Sequence, residues 1–303
     1  MRKILFIIFL VIIGVKLVHY FLIMPPKDFP IEKIISIQSK NNLREISLKL
    51  KQEKIIKSRV AFETFVIIYG GERKIIPADY LFKNKISVTQ IAKIIVNKDN
   101  ALNPIKFIIP EGFNNLEIAE LFSFKLKNFN KDKFLNKVHD KQGYLFPDTY
   151  FFYLTDDEEI VLESINKNFK RKIISLEKEI QNFKLVPRSD LGNLITEKEI
   201  IIMASIIEKE SKGEMDREFI SGILWKRFNE KMLLQVDAAP ETYKTLNLPE
   251  NPIANPGLAS IKATINPKES PYYYYLHDKN KNIYYAKTFK EHRKNIDKYL
   301  RIK

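Results

Sequence analysis

Cysteine is absent from the 303 residues, which removes disulfide scaffolds, Cys-zinc sites, iron–sulfur clusters and thiol nucleophiles in one step. Histidine is nearly so: His19, His139, His277 and His292 are the whole set, and no two share a metal-ligand spacing such as HxxxH. Glycine is rare at nine residues, with neither GxGxxG nor the GxxxxGK phosphate loop, which speaks against a nucleotide cradle. No metal and no cofactor is therefore expected, and chemistry falls to carboxylates, hydroxyls and lysines. Dense basic runs are missing too. Lys and Arg number 51 against 37 Asp and Glu, a net charge of +14, yet the lysines are scattered among acids. That reads as a basic composition without a patch, and no nucleic-acid partner is expected. What is present suffices for a core: 45% hydrophobic and 12% aromatic residues exclude a disordered chain, and the length suits about two domains.

One long apolar run stands at the start. Met1-Arg2-Lys3 precedes residues 4–24, interrupted only by Lys16 and His19. About 20 apolar residues cross a hydrocarbon core of roughly 30 Å. A cleaved signal peptide is the alternative, because residues 4–15 suit its shorter apolar region, but no A-x-A-like site follows. We read residues 1–24 as a single-pass transmembrane anchor. Arg2 and Lys3 favour a cytoplasmic N-terminus, which puts the remainder outside the cytoplasm.

The rest divides into a small α/β region, 25–104, and a larger mixed region, 105–303, so the fold class is α+β. In the first, Ile34-Ile35-Ser36-Ile37 reads as a strand, and Asn41-Asn42 opens a helix with Leu43, Ile46 and Leu50 on one side. Ser58 caps a second helix carrying Phe62, Phe65 and Val66, and Ser87 to Gln90 is a capping box before Ile91, Ile94 and Ile95. In the second, a strand-turn-helix unit spans 107–119. Thr155-Asp156-Asp157-Glu158 reads as a capping box for one long helix with Val161, Ile165, Phe169, Ile173, Leu176 and Ile180 in a stripe, barred from continuing by Pro187.

The chemistry concentrates after Thr196. Thr196 to Glu199 caps a helix whose residues 200–207 are apolar on all sides, which calls for central burial, and Glu208 follows at once. Ala204 and Ser205, one turn below, leave space for something to approach the carboxyl. Apolar walls disfavour a carboxylate and favour the neutral acid, the form a general acid needs. The bland alternative is a helix leaving the core, with Glu208 its first solvated residue. Glu210 lies about 200° further round and cannot pair with Glu208. A helix over 216–229 ends near Arg227. Leu233 to Asp237 alternates as a strand, delivering Gln235 and Asp237 to one face, where an edge-strand polar face is the plain alternative. Asn255-Pro256-Gly257 is a turn in which Gly257 can take positive φ, and Tyr272 to Tyr275 is an aromatic strand.

Together these pieces resemble the YceG-like endolytic murein transglycosylases, the MltG family. The resemblance rests on Ile109-Pro110-Glu111-Gly112-Phe113, Gly143-Tyr144-Leu145-Phe146-Pro147-Asp148-Thr149-Tyr150 and Met203-Ala204-Ser205-Ile206-Ile207-Glu208-Lys209-Glu210-Ser211. It continues through Leu234-Gln235-Val236-Asp237, Asn255-Pro256-Gly257 with Ser260-Ile261-Lys262-Ala263, and Thr288-Phe289-Lys290-Glu291-His292, in the family's order along nearly the whole chain. It implies a bitopic inner-membrane protein with a LysM-like subdomain and a catalytic domain facing the wall. It also implies the reaction: cleavage of the MurNAc–GlcNAc β-1,4 bond of peptidoglycan glycan strands without water, leaving 1,6-anhydro-MurNAc ends. The catalytic Glu falls on Glu208, while Tyr144, Ser205, Gln235, Asp237 and Asn255 are expected to bind or position glycan. Cell-wall synthases are further expected partners. A hydrolytic muramidase using Asp237 as second carboxylate, and a non-catalytic glycan-binding scaffold, are the alternatives. The sequence departs from the family at Gln142, where Glu is usual, in the missing insert after Asp237, and at Ile283, where His is common.

Overall fold

The computed structural model describes residues 2–184, 194–213 and 216–300. The chain divides into two compact units, Met1–Ile105 with Phe152–Thr155, and Lys106–Phe151 with Asp156–Lys303.

In the first unit, helix α1 (Arg2–Val18) runs into a π-helical turn at His19–Ile23. The apolar stretch Ile4–Ile23 is 20 residues long, has a mean hydropathy of 2.6 and no buried residue, so it is a candidate membrane span. Then come β1 (Ile34–Ile37), α2 (Leu43–Gln52), α3 (Arg59–Ile68), β2 (Ala78–Leu81) and α4 (Val88–Asn97). Asn42 and Ser87 each close a capping box, and the Ser58 side chain accepts the Ala61 N–H. β1 and β2 pair antiparallel, setting Ile35 opposite Tyr80 and Ile37 opposite Ala78. All four are buried in one cluster with Leu50, Phe62, Val66, Ile91 and Ile95. Ile23, at the end of the apolar stretch, packs against that same cluster. Thr155 does not cap the following helix, contrary to expectation. Its N–H and hydroxyl both donate to Asp79, while Asp157 supplies the cap by accepting from Glu159 and Ile160 N–H.

The second unit contains β3 (Ile105–Ile108) from residue 106, α5 (Asn115–Ser123), α6 (Lys131–Val138), β4 (Thr149–Phe152) to residue 151, α7 (Glu158–Ser175) and α8 (Glu177–Lys184). It continues with α9 (Glu197–Glu210), α10 (Arg217–Asn229), α11 (Leu258–Ile265), β5 (Tyr274–His277), β6 (Ile283–Ala286) and α12 (Phe289–Tyr299). β3 pairs with β4, and β5 pairs antiparallel with β6. The long helix expected after residue 158 is two helices, because the chain turns at Leu176, and the turn brings Leu176, Ile180 and Phe183 into the cluster around α9. Pro187 lies outside the described residues. The tyrosine run enters its strand only at Tyr274, while Tyr272 stacks on Tyr285 with centroids 5.2 Å apart.

Helix α9 is the axis of this unit. Every residue from Ile200 to Ile207 is buried, and α10 and α11 pack on its sides. Gly222 in α10 is required by packing, since a Cβ there would lie 1.9 Å from the Lys268 carbonyl oxygen. Trp225 donates its indole N–H to Thr264 O at 2.9 Å, tying α10 to α11. The core therefore fixes where the last turn of α9 emerges.

Candidate active site

That last turn presents Glu208, whose side chain is only 6% exposed. Oε2 accepts the Gly257 N–H at 2.9 Å, and Oε1 lies 3.6 Å from Arg217 Nη2. Gly257 is the N-cap of α11, so the carboxyl sits where a helix start offers an N–H and a favourable dipole. Its backbone is extended, with φ −75°, which corrects the positive φ expected from the sequence. Glycine is needed there for space instead: a Cβ would stand 1.8 Å from Glu111 Oε1. Arg217 in turn reaches Glu111, with Nη2 3.7 Å from Oε2, and donates from Nε to Ser260 Oγ at 3.1 Å. Gly112 does take a positive φ, +79°, and a Cβ on it would lie 3.4 Å from Glu208 Cγ. Three segments thus close on one carboxyl: the 110–113 turn, the start of α10 and the start of α11.

Asn255 organises two of these segments. Fully buried, it accepts the N–H groups of Gly143 and Leu145 on Oδ1, both at 2.9 Å. Its Nδ2 donates to Phe113 O at 2.9 Å and Asn115 Oδ1 at 3.1 Å. With every polar atom of its side chain engaged, Asn255 is a knot in the scaffold. Ser205 is buried as well, donating to Ile202 O and accepting the Ile253 N–H at 3.0 Å. The space expected beneath Glu208 is filled, because Ala204 and Ser205 are both wholly enclosed.

The remaining expected glycan-binding residues stand elsewhere. Tyr144 packs edge-on against Phe169 at 5.3 Å and lines a cleft of about 570 Å³ with Lys141, Lys170 and Glu197, at the opposite end of α9 from Glu208. Burial, with the Glu197 charge, raises its phenol above the usual range. A larger cleft of about 1430 Å³ runs along α7, and Glu208 lines neither. Residues 233–237 form no strand, because Gln235 has left-handed backbone, φ 51°, and its N–H donates to Thr242 O. The alternation survives in burial all the same: Leu234 and Val236 face the core while Gln235 and Asp237 face out. Gln235 Oε1 accepts from Arg227 Nη2 at 2.8 Å, and Asp237 accepts the Tyr243 hydroxyl. Glu210 turns to the Tyr275 hydroxyl, 2.9 Å away. Burial, reinforced by the Asp237 charge, pushes the Glu210 carboxyl upward, and its hydrogen-bonded carboxylate partner raises Tyr243 to about 12. Gln235, Asp237 and Glu210 therefore belong to a cluster centred on Arg227 and the tyrosines, separate from the Glu208 contacts.

Glu111 and Arg217 were not singled out by sequence reasoning. Glu111 lay in a quoted motif, Ile109 to Phe113, but nothing local marks its distant partner. Gln142, the departure from the family's Glu, accepts the Asn115 N–H at 2.9 Å, a task either side chain can perform.

The chain matches the YceG-like family over residues 35–241 and 240–298, and it belongs to that family. It is 27% identical over 321 residues to a Bacillus subtilis protein named endolytic murein transglycosylase, covering 90% of this chain and 86% of that one. A protein of the same name from Streptococcus pneumoniae is 22% identical across 89% of this chain, which spans 58% of that longer relative. Among solved structures, a YceG-like protein from Listeria monocytogenes superposes with a TM-score of 0.53 and 25% identity, covering 87% of this chain and 99% of that one.

Proposed function

We propose that this chain is a membrane-anchored lytic transglycosylase that cuts the MurNAc–GlcNAc β-1,4 bond of nascent peptidoglycan strands, with Glu208 as its one acid and base. Relatives named endolytic murein transglycosylase over nine-tenths of the chain support an enzyme of this class acting on peptidoglycan. The observation that carries the assignment to Glu208 is its enclosure: a buried carboxyl with Oε2 held by the Gly257 N–H. The Arg217 contact to Oε1, at 3.6 Å, is longer than a hydrogen bond, so a proton on Oε1 displaces none.

The chemistry needs no second carboxylate. Glu208 gives its proton to the glycosidic oxygen as the C1–O bond breaks, and the GlcNAc alcohol leaves. The C6 oxygen of the same MurNAc attacks the oxocarbenium-like C1, and its hydroxyl proton returns to Glu208. Water is not consumed, and the enzyme ends in its starting state. Between the two transfers, the Gly257 N–H and the Arg217 guanidinium hold the carboxylate. The hydrolytic alternative relied on Asp237, which here accepts from Tyr243 and has no contact to Glu208. The order β1–α2–α3–β2, with the strands antiparallel, supports a LysM-like glycan-holding role for the first unit. The Ile4–Ile23 span and the Arg2-Lys3 flank support an anchor in the cytoplasmic membrane with both units outside. Tyr144, on its cleft far along α9, fits a distal glycan contact, and cell-wall synthases are partners consistent with such a location.

Uncrosslinked glycan strands digested with wild type and Glu208→Gln, followed by mass spectrometry of the muropeptides, test this function. Wild type should release ends lighter by one water than reducing MurNAc, and the variant none. Reducing ends from the wild type would replace the lytic mechanism with hydrolysis, and an undiminished Glu208→Gln would remove Glu208 from the chemistry.

A further inference from the structure

Arg217 Nη2 stands 3.7 Å from Glu111 Oε2 and 3.6 Å from Glu208 Oε1, so one guanidinium nitrogen serves two carboxyls. The three differ in exposure: 47% for the Glu111 side chain, 15% for Arg217 and 6% for Glu208. They therefore stand in series from solvent inward, with the cation between the acids. Gly257 binds both carboxyls into one arrangement. Its N–H holds Glu208, and its missing Cβ is the space that Glu111 Oε1 occupies.

This arrangement addresses a conflict in the mechanism. A buried carboxylate paired one-to-one with an arginine is held in its charged form and makes a poor proton donor. A guanidinium placed between two carboxylates stands beyond hydrogen-bond distance of both, and the outer carboxylate opposes a second negative charge close by. The contacts cap the separation of the two carboxyl oxygens at the sum of two ion-pair distances, below the outer limit of roughly 9.5 Å for paired glycosidase carboxyls.

We propose, on the reading of Glu208 as the acid, that Glu111 is a positioning residue of the cleavage site: it shares Arg217 with Glu208, so that the guanidinium does not close on the acid alone. After the proton has left, Arg217 is already within ion-pair reach of the new carboxylate. Among the described residues, the charged groups facing Glu208 are Arg217 from α10 and Glu111 from the turn after β3. The start of α11 contributes the Gly257 N–H. Lys209, next along α9, has its Nζ 3.8 Å from where a Gly112 Cβ would stand.

The experiment is a pH profile of kcat/KM on uncrosslinked glycan strands, using the full chain in lipid nanodiscs. Glu111→Gln keeps the shape, removes the like charge and releases Arg217 wholly to Glu208. Both effects ease proton loss from Glu208, so the alkaline limb, where the acid is lost, should move to lower pH by roughly half a unit to one unit. Glu111→Asp, which keeps the charge but withdraws it from Arg217, should move the limb the same way by less, and it carries the test if Glu111→Gln fails to fold. Arg217→Gln should move the limb to higher pH. A limb that superimposes on wild type in the Glu111 variants, whatever happens to kcat, overturns the proposal, as does an Arg217→Gln shift in the same direction as Glu111→Gln. Glu208→Gln run alongside separates the two claims. If it is inert while the Glu111 limb stays still, only the positioning role falls, and if it cleaves normally, the underlying reading of Glu208 falls.

Discussion

A single carboxamide, that of Asn255, bonds four groups from two other segments: two N–H donors at 143 and 145, and two oxygens at 113 and 115. Asn255→Ala strands three of them in a buried site, because Phe113 O keeps the Asn255 backbone N–H, and at about 1–3 kcal/mol for each unsatisfied group the loss should be about 3 kcal/mol or more. Asn255→Asp should be no better, because a carboxylate oxygen would then face the Phe113 and Asn115 oxygens. Thermal melting of both variants checks this, and an unchanged midpoint would mean the knot holds nothing. At this scale the sequence was read unevenly. The placing of Glu208 at the end of a buried helix was legible because an apolar run ended on it. Gly257 was noticed for the wrong reason: its dihedral is ordinary, and its need arises from a side chain that packs there from a remote segment. No local pattern encodes such a neighbour, which is also why Glu111 and Arg217 escaped notice.

Helices announce themselves by period and cap, and α2, α4 and α9 begin at the capping residues the sequence offers, Asn42, Ser87 and Thr196. The break at Leu176 was not legible, since the apolar stripe continues across it and only the shape of the core decides that the chain turns. Residues 233–237 mislead similarly, because their alternating burial is real but the left-handed Gln235 prevents a ladder. At this level the last turn of α9 is tied to β5 through Glu210 and the Tyr275 hydroxyl. Glu210 is raised above its ordinary value of 4.5 by burial and by Asp237, so the folded state binds this proton more tightly than the unfolded chain. Stability should then decline as pH rises upward from that value. Glu210→Gln, which can still accept from Tyr275, should flatten the decline, widening its advantage in urea midpoint from mildly acidic to alkaline buffer. A gap independent of pH would count against it. His292 works with opposite sign in another window. Burial and the Arg227 charge lower its imidazole from 6.5, so the stability of the neutral ring is full above that value and is lost as pH falls below it.

Over the whole molecule, the net charge of +14, spread without a dense basic run, accompanies a chain with a candidate span and a wall-polymer activity. Charge of that size favours anionic surfaces in general and selects no substrate. If the apolar helix is the anchor, deleting residues 2–18, which spares Ile23 and its packing on the first unit, should release the protein from neutral phosphatidylcholine vesicles in flotation. Persistent flotation would mean that the folded units hold the membrane unaided. The Asn255 knot has a consequence in time as well as in space. Its bonds to Gly143 and Asn115 span 112 and 140 residues, and loops of that length close after local helices have formed. In a chain delivered N-terminus first, Glu208 has no backbone partner until Gly257 has arrived. On the proposed reading of Glu208, a chain delivered only part-way carries its acid without that support.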